Sequence, residues 1–151
     1  MPTLVLLAQI ATSCMLTGLI WTIQVVHYPL FASVGADRFA EYEASHSRLI
    51  TLVVGPLMLA EAATAIAFLA IRPPSVPMWI PLAGAALLAV VWLTTAFVSV
   101  PCHARLADGF DVEAHRRLVD TNWIRTAAWS ARAAVLLLAG WLALNAVRGD
   151  G

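Results

Sequence analysis

The sequence lacks several features that a soluble enzyme or a disulfide-stabilised domain would need. It has no lysine, and charged residues make up only 12% of its 151 residues, whereas soluble domains average about 25%. Its two cysteines exclude a disulfide scaffold and a zinc site built from cysteines alone. Nine arginines balance nine acidic residues, so no bulk positive charge attracts nucleic acid. We therefore expect no nucleic-acid partner.

Apolar residues are abundant instead, at 61%, and they form four long runs. A helix needs roughly 20 mostly apolar residues to cross a hydrocarbon core about 30 Å thick. Four such helices in a chain this short would leave nothing polar to cover them in water. We predict an all-α, four-helix transmembrane bundle that forms a single domain over residues 1–151. Its predicted helices cover residues 4–30, 48–71, 77–102 and 123–147.

The connections between these helices differ in length and charge. Residues 72–77 form a tight proline-rich turn, whereas the connections at 31–47 and 103–122 are longer and richer in arginine. The positive-inside rule places the two long connections in the cytoplasm and both termini outside. The chain is rich in alanine and contains arginine but no lysine, a composition that indicates a GC-rich bacterial genome. We therefore expect the protein in a bacterial cytoplasmic membrane. Aromatic residues near the predicted helix ends fit the headgroup layer: Tyr28, Trp79, Trp123 and Trp141.

Two segments that precede the second and fourth predicted helices resemble each other. Residues 43–50 read Glu-Ala-Ser-His-Ser-Arg-Leu-Ile, and residues 113–119 read Glu-Ala-His-Arg-Arg-Leu-Val. With one gap, His46 aligns with His115. We expect each segment to lie in a helix that begins at the membrane interface and continues into the following span.

The similarity extends to the ends of the other two helices. His27 closes the first predicted helix much as His103 closes the third. We predict two duplicated hairpins, about 4–71 and 77–147, which form a parallel internal repeat with its axis along the membrane normal.

All four histidines lie at the charged ends of the predicted helices, so a bundle would gather four imidazoles at one membrane face. Neutral imidazole is the commonest metal ligand in proteins. The predicted metal ligands, for iron, copper or zinc, are His27, His46, His103 and His115. Haem is a weaker alternative, because rings at a single surface do not face each other across the bundle.

Each predicted helix carries a polar stripe that includes its histidine, at about 100° per residue. In lipid, unpaired polar groups cost several kcal/mol, so these stripes should face one another. We predict a polar pocket beside the histidines. Its predicted lining residues are Gln24, Glu43, Asn122 and Trp129.

Glu61 and Arg132 are the most costly residues within the predicted spans. An arginine at mid-span costs roughly 2.5–3.5 kcal/mol even on a lenient insertion scale. Glu61 lies 15 residues beyond His46, and Arg132 lies 17 residues beyond His115. The similar depths predict an ion pair inside the bundle, and we favour a structural role for it.

A site without a metal is the second enzymatic alternative. His46 or His115 would act as a general base, and Arg125 would stabilise an anion. A lipophilic small molecule would enter the apolar bundle from the surrounding lipid.

Two alternatives involve no catalysis. One is a small proton-coupled transporter or channel that uses Glu61, Arg132 and the histidines as a relay. A single chain with two hairpins is barely large enough to form a transport pathway. This alternative therefore predicts that two copies of the chain associate as a homodimer. The other is a structural membrane protein whose polar stripes only hold the helices together.

Three segments resemble a known group of proteins: residues 24–31 (Gln-Val-Val-His-Tyr-Pro-Leu-Phe), 42–49, and 115–125 (His-Arg-Arg-Leu-Val-Asp-Thr-Asn-Trp-Ile-Arg). They resemble small bacterial four-span membrane proteins of unknown function, which are similar to the anthrone-oxygenase-like group. The resemblance extends over most of the chain. It implies a four-helix membrane fold and oxygenase-like chemistry, and it carries no catalytic motif that transfers residue by residue.

Overall fold

Each apolar run folds into one continuous helix, because a helix satisfies its backbone polar groups internally where lipid offers no partners. The computed structural model describes residues 1–149, and no strand occurs within them. The helices are α1 (Pro2–Ser33), α2 (Phe39–Ala70), α3 (Trp79–Leu106) and α4 (Val112–Gly149). All four are long and apolar enough to cross a membrane. The predicted all-α, four-helix transmembrane bundle is confirmed.

The helices extend further at one end than the sequence predicted. The connections there are residues 34–38 and 107–111, rather than 31–47 and 103–122. They are shorter because the interfacial segments before the second and fourth spans are helical and run unbroken into α2 and α4, as predicted. We call the end of the bundle that holds these two connections the loop end.

The four helices pack in a ring. α4 packs closely against α1 and α3, and α1 packs closely against α2, whereas α2 and α3 are the neighbours in this ring that pack least closely. One apolar cluster fills the interior towards the loop end, around Leu16 and Leu118, and a second lies at the opposite end, around Leu6 and Ile80. The loose contact between α2 and α3 leaves room for a groove.

Both α1 and α3 contain a five-residue π-helical segment near the loop end, Ile23–His27 and Thr95–Ser99. Each segment ends two residues before a proline, Pro29 in α1 and Pro101 in α3. A π segment adds one residue to the turn and rotates the following side chains by about 100° relative to an unbroken α-helix. It therefore changes which residues face the interior.

The predicted internal duplication is not confirmed. Counted from the two prolines, His27 corresponds to Ser99 rather than to His103. His46 is the eighth residue of α2, whereas His115 is the fourth residue of α4. The histidines thus occupy different positions in the two hairpins, and the duplication stays a prediction.

A buried ion pair joins the helices midway along the bundle. Arg132 donates from Nε to Glu61 Oε1 at 2.9 Å, and the two side chains are 1% and 0% exposed. The remaining guanidinium nitrogens donate to Gln9 Oε1 on α1 and to the carbonyl of Gly84 on α3. Trp129 Nε1 donates to Glu61 Oε2 at 3.0 Å. One cluster therefore ties all four helices together.

The close approach of α3 to this cluster requires a glycine. A Cβ atom at position 84 would lie 3.0 Å from Arg132 Nη1. Both carboxylate oxygens and all three guanidinium nitrogens have at least one partner within the bundle. This network supports the structural role predicted for Glu61 and Arg132.

The start of α4 is fixed by an acidic cap. Asp111 Oδ1 accepts hydrogen bonds from the backbone nitrogens of Ala114 and Glu113, both at 2.9 Å, and its other oxygen accepts one from Arg105. The bond from the Ala114 backbone and the bond from Arg105 hold the pKa of this carboxyl below its usual value. The ionised side chain therefore stabilises the folded state.

Replacing Arg132 with Met should destabilise the bundle strongly, by about 3–5 kcal/mol, because it leaves the Glu61 carboxylate buried and unpaired. Replacing Glu61 with Gln in the same chain should recover much of the loss. Thermal unfolding in detergent measures both variants. A single Arg132→Met variant that melts at the wild-type temperature would show that the pair contributes nothing.

The Asp111→Ala variant should melt below the wild type at pH 7, because it removes the cap. A carboxyl whose pKa is lowered by folding stabilises above its unfolded pKa, and this stabilisation is lost as the pH falls. The difference in melting temperature should therefore shrink below about pH 4. A difference that stays constant from pH 7 to pH 3 would contradict the role of the ionised cap.

Candidate functional site

Three of the four histidines meet at the loop end, between α1, α2 and α3. His27 Nε2 lies 2.8 Å from His46 Nδ1, and the ring centres of His46 and His103 are 5.4 Å apart. His103 Nδ1 lies 2.6 Å from Glu43 Oε1. Helix α2 thus supplies a carboxylate and an imidazole one turn apart, and each contacts a histidine of another helix.

His115 has a different environment. Its Nε2 donates to the backbone carbonyl of Tyr28 at 2.8 Å, so this nitrogen carries a proton. The fully buried ring of Phe31 has the ring centres of all four imidazoles within 6.4 Å of its own. The phenyl ring thus lies among the four rings, where a shared metal would have to sit.

The predicted metal site is not supported. Within residues 1–149, no group of three or more His, Cys, Asp or Glu side chains has an arrangement that could hold a metal ion. The physical reason is that Phe31 lies between the rings, while His103 and Glu43 bind each other. The predicted four-histidine set for iron, copper or zinc is therefore not supported.

A hydrogen-bonded relay forms instead. The Tyr28 hydroxyl lies 3.0 Å from His103 Nε2, and His103 Nδ1 lies 2.6 Å from Glu43 Oε1. Because a carboxylate only accepts, Nδ1 carries the proton and Nε2 accepts from the tyrosine hydroxyl. Ser47 also donates to Glu43 Oε1, at 2.9 Å. A carboxylate that orients an imidazole towards a hydroxyl is the arrangement in which the imidazole accepts the hydroxyl proton.

Arg125 lies beside this relay and is only 5% exposed. Its Nη1 donates to Asn122 Oδ1 at 3.1 Å and to Ser99 Oγ at 3.3 Å, and its guanidinium carbon lies 5.3 Å from the centre of the Trp129 ring. Its Nε has no hydrogen-bond partner in the described part of the chain, and no carboxylate there forms an ion pair with it. A buried cation without a counter-charge is costly, and it favours binding of an anion.

Three of the predicted pocket residues, Gln24, Asn122 and Trp129, form the buried surroundings that position Arg125. Asn122 Nδ2 donates to Gln24 Oε1 at 2.8 Å, and Gln24 Nε2 donates to the Val119 carbonyl at 3.2 Å. Trp129 contacts Arg125 with its ring and the Glu61 carboxylate with its N–H. Trp129 thus links the ion pair at mid-span to the cation near the loop end.

A groove of about 570 Å³ opens between α2 and α3, where these helices pack least closely. Its polar end holds Tyr28, His103 and Arg125, and its wall towards the bilayer centre is apolar. Leu59 and Trp92 on this wall are exposed on the lipid-facing surface of the bundle. A lipophilic molecule could therefore reach the polar end sideways from the bilayer.

The structure assigns different positions to the predicted bases. His46 and His115 do not line the groove, whereas His103, predicted only as a metal ligand, does. Glu43 is buried behind His103, and Gln24, Asn122 and Trp129 are buried around Arg125. Tyr28, predicted at the headgroup layer, is 4% exposed and points into the bundle.

No protein-family model matches this chain, and no curated protein or solved structure matches it significantly. The resemblance to the anthrone-oxygenase-like group stays a prediction. The function proposed below therefore depends on the geometry of the site.

Proposed function

We propose that this chain is a membrane enzyme that removes a proton from a lipophilic molecule with an acidic hydroxyl, such as a phenol or an enol. One observation carries the proposal: a buried guanidinium without a carboxylate partner lies at the end of the groove that also holds a hydroxyl–imidazole–carboxylate relay. Arg125 supplies the cation, and Tyr28, His103 and Glu43 supply the relay.

The proton moves along bonds that already exist in the structure. The substrate hydroxyl gives its proton to the Tyr28 oxygen while the proton of Tyr28 passes to His103 Nε2. The proton on His103 Nδ1 passes to Glu43 Oε1. The result is a substrate oxyanion on Arg125 and a neutral Glu43 carboxyl, so charge and protons balance. A fixed cation in a site shielded from water stabilises a developing oxyanion efficiently.

The groove favours a substrate that is mostly apolar. Its volume falls in the range of about 300–1,000 Å³ typical of small-molecule sites, and most of its lining is hydrophobic. Along α3, the groove extends from Ser99 at its polar end to Trp92. These two positions are seven residues apart, which is about 10 Å along the helix axis. An aromatic or isoprenoid body would occupy this length, with the hydroxyl at Arg125.

Oxygenase-like chemistry is compatible with this proposal. A phenolate or enolate donates electrons to dioxygen more readily than the neutral molecule does. Conversion of an activated CH₂ group next to the enolate into a carbonyl would consume one dioxygen and release one water, with carbon oxidised and oxygen reduced. Both oxygens of Glu61 accept hydrogen bonds inside the bundle, from Arg132 and Trp129, which supports this enzymatic proposal over a transporter that uses Glu61 as a proton carrier.

We also propose that the loop end faces the cytoplasm of a bacterial cell and that the enzyme lies in the cytoplasmic membrane. Five exposed arginines lie at this end: Arg38, Arg48, Arg105, Arg116 and Arg117. The opposite end has only Arg72 and Arg148. An excess of arginine marks the cytoplasmic side of most membrane proteins.

If Arg125 binds an oxyanion, the purified protein should bind the probe 2-naphthol as its anion. The naphtholate absorption band should then appear at a bulk pH about one to three units lower than in empty detergent micelles. Arg125→Gln should abolish this shift. Arg117→Gln, which removes the same charge from an exposed site, is the matched control. An unchanged shift in Arg125→Gln, or an equal loss in both variants, would contradict the proposal.

A side chain placed in the groove should block binding without unfolding the protein. A Cβ atom at Gly55, which lines the groove, would meet only the Thr51 methyl at 3.8 Å, so the backbone tolerates a substitution. Gly55→Phe should weaken 2-naphthol binding by about tenfold or more. Gly18→Phe, at a position with nothing within 4 Å of its Cβ, is the control. Equal binding by the two variants would show that the probe binds elsewhere.

A further inference from the structure

His27 and His46, together with two buried polar atoms next to the relay, have no role in the mechanism described so far. His46 is 8% exposed, and its Nε2 has no hydrogen-bond partner among residues 1–149. Glu43 is fully buried, and its Oε2 also lacks a partner there. Unpartnered buried polar atoms are costly, so each of them requires an explanation. Both atoms belong to side chains at positions i and i+3 of α2, which are neighbours on one face of the helix.

These side chains continue the relay towards the surface. His46 Nδ1 lies 2.8 Å from His27 Nε2, and the centres of the two rings are 4.6 Å apart. His27 is only partly buried and lies at the loop end. The groups thus follow one another in the order Tyr28, His103, Glu43, His46 and His27. Hydrogen-bond contacts join every neighbouring pair in this order except Glu43 and His46, whose Oε2 and Nε2 atoms have no partner within residues 1–149.

We infer that His46 and His27 form the exit route by which the proton taken from the substrate leaves Glu43 for the loop end. The inference rests on the proposed function, because it needs a proton on Glu43. The proton arrives on Oε1, so the protonated carboxyl rotates and delivers it to His46 Nε2, which has no other partner among residues 1–149. His46 then passes its Nδ1 proton to His27 Nε2, and His27 releases a proton to water. Glu43 returns to its ionised state, ready for another substrate.

The surroundings of His46 suit transfer in this direction. The titratable groups that face it are Tyr42 and Glu43 on its own helix, His27 and Tyr28 on α1, and His103 on α3. On the side of α4, the Phe31 ring contacts both His46 and His115 and lies between them. Among the facing groups Glu43 is the only carboxyl, and His27 is the partly buried group whose Nε2 lies 2.8 Å from His46 Nδ1, so these two are the source and the outlet.

Stopped-flow mixing with 2-naphthol tests the route. Binding is followed by the fluorescence of the tryptophans, since Trp92 lines the groove, and proton release is followed by a pH indicator in weakly buffered detergent solution. In the wild type, release should coincide with binding. In His46→Phe, release should lag behind binding by about tenfold or more, because a phenyl ring cannot carry a proton. The extent of binding should stay unchanged.

Two further variants keep the test decisive. Tyr42→Phe alters the aromatic ring that stacks on His46, at 6.5 Å between centres, without interrupting the route, and it should release protons at the wild-type rate. His27→Ala should release slowly, and imidazole added to the buffer should restore its rate, which a structural role would not explain. If His46→Phe and His27→Ala bind the probe and release protons at the wild-type rate, the exit route is wrong while the proposed function stands. If the wild type does not bind 2-naphthol as its anion, the proposed function fails and the route with it.

Discussion

The buried ion pair between Glu61 and Arg132 is the constraint on which the rest of this structure depends. Two charges at mid-span are tolerated in lipid only if they are paired and hydrogen-bonded. Here the partners come from all four helices, so the pair fixes the depth and rotation of each helix relative to the others. Trp129 transmits this constraint towards the loop end, because its N–H binds Glu61 and its ring lies under Arg125.

The two buried arginines of α4 show how structural and functional polar groups differ in a membrane. Arg132 has a carboxylate partner that balances its charge, and each of its three nitrogens makes a hydrogen bond within the bundle. Arg125, two turns nearer the loop end, binds only neutral oxygens and has an unpartnered Nε within the described chain. The unmet requirement for negative charge, placed at the end of a groove open to lipid, supports an oxyanion-binding role for this arginine.

The fold and the ion pair follow from sequence patterns, whereas the site does so only in part. Span length fixes the four helices, and residue counting places Glu61 and Arg132 at similar depth. Counting at a regular helical period fails beyond the π segments of α1 and α3, which shift the facing side chains by one residue. A regular α-helical repeat therefore does not predict that Tyr28 points inward to His103, or that Phe31 lies among the imidazoles. The groove depends on how loosely α2 and α3 pack, a tertiary property that no local pattern contains.

The central claim is that Arg125 and Tyr28 hold the oxygen of a lipophilic acid at the end of the groove. A crystal structure of the protein grown with 6-bromo-2-naphthol, with the bromine located by anomalous scattering, tests this claim most directly. We expect the naphthol oxygen within hydrogen-bond distance of Arg125 and Tyr28, and the bromine between α2 and α3 near Met58 and Trp92. Bromine density only outside this groove, or an Arg125 that contacts no ligand atom, would contradict the account.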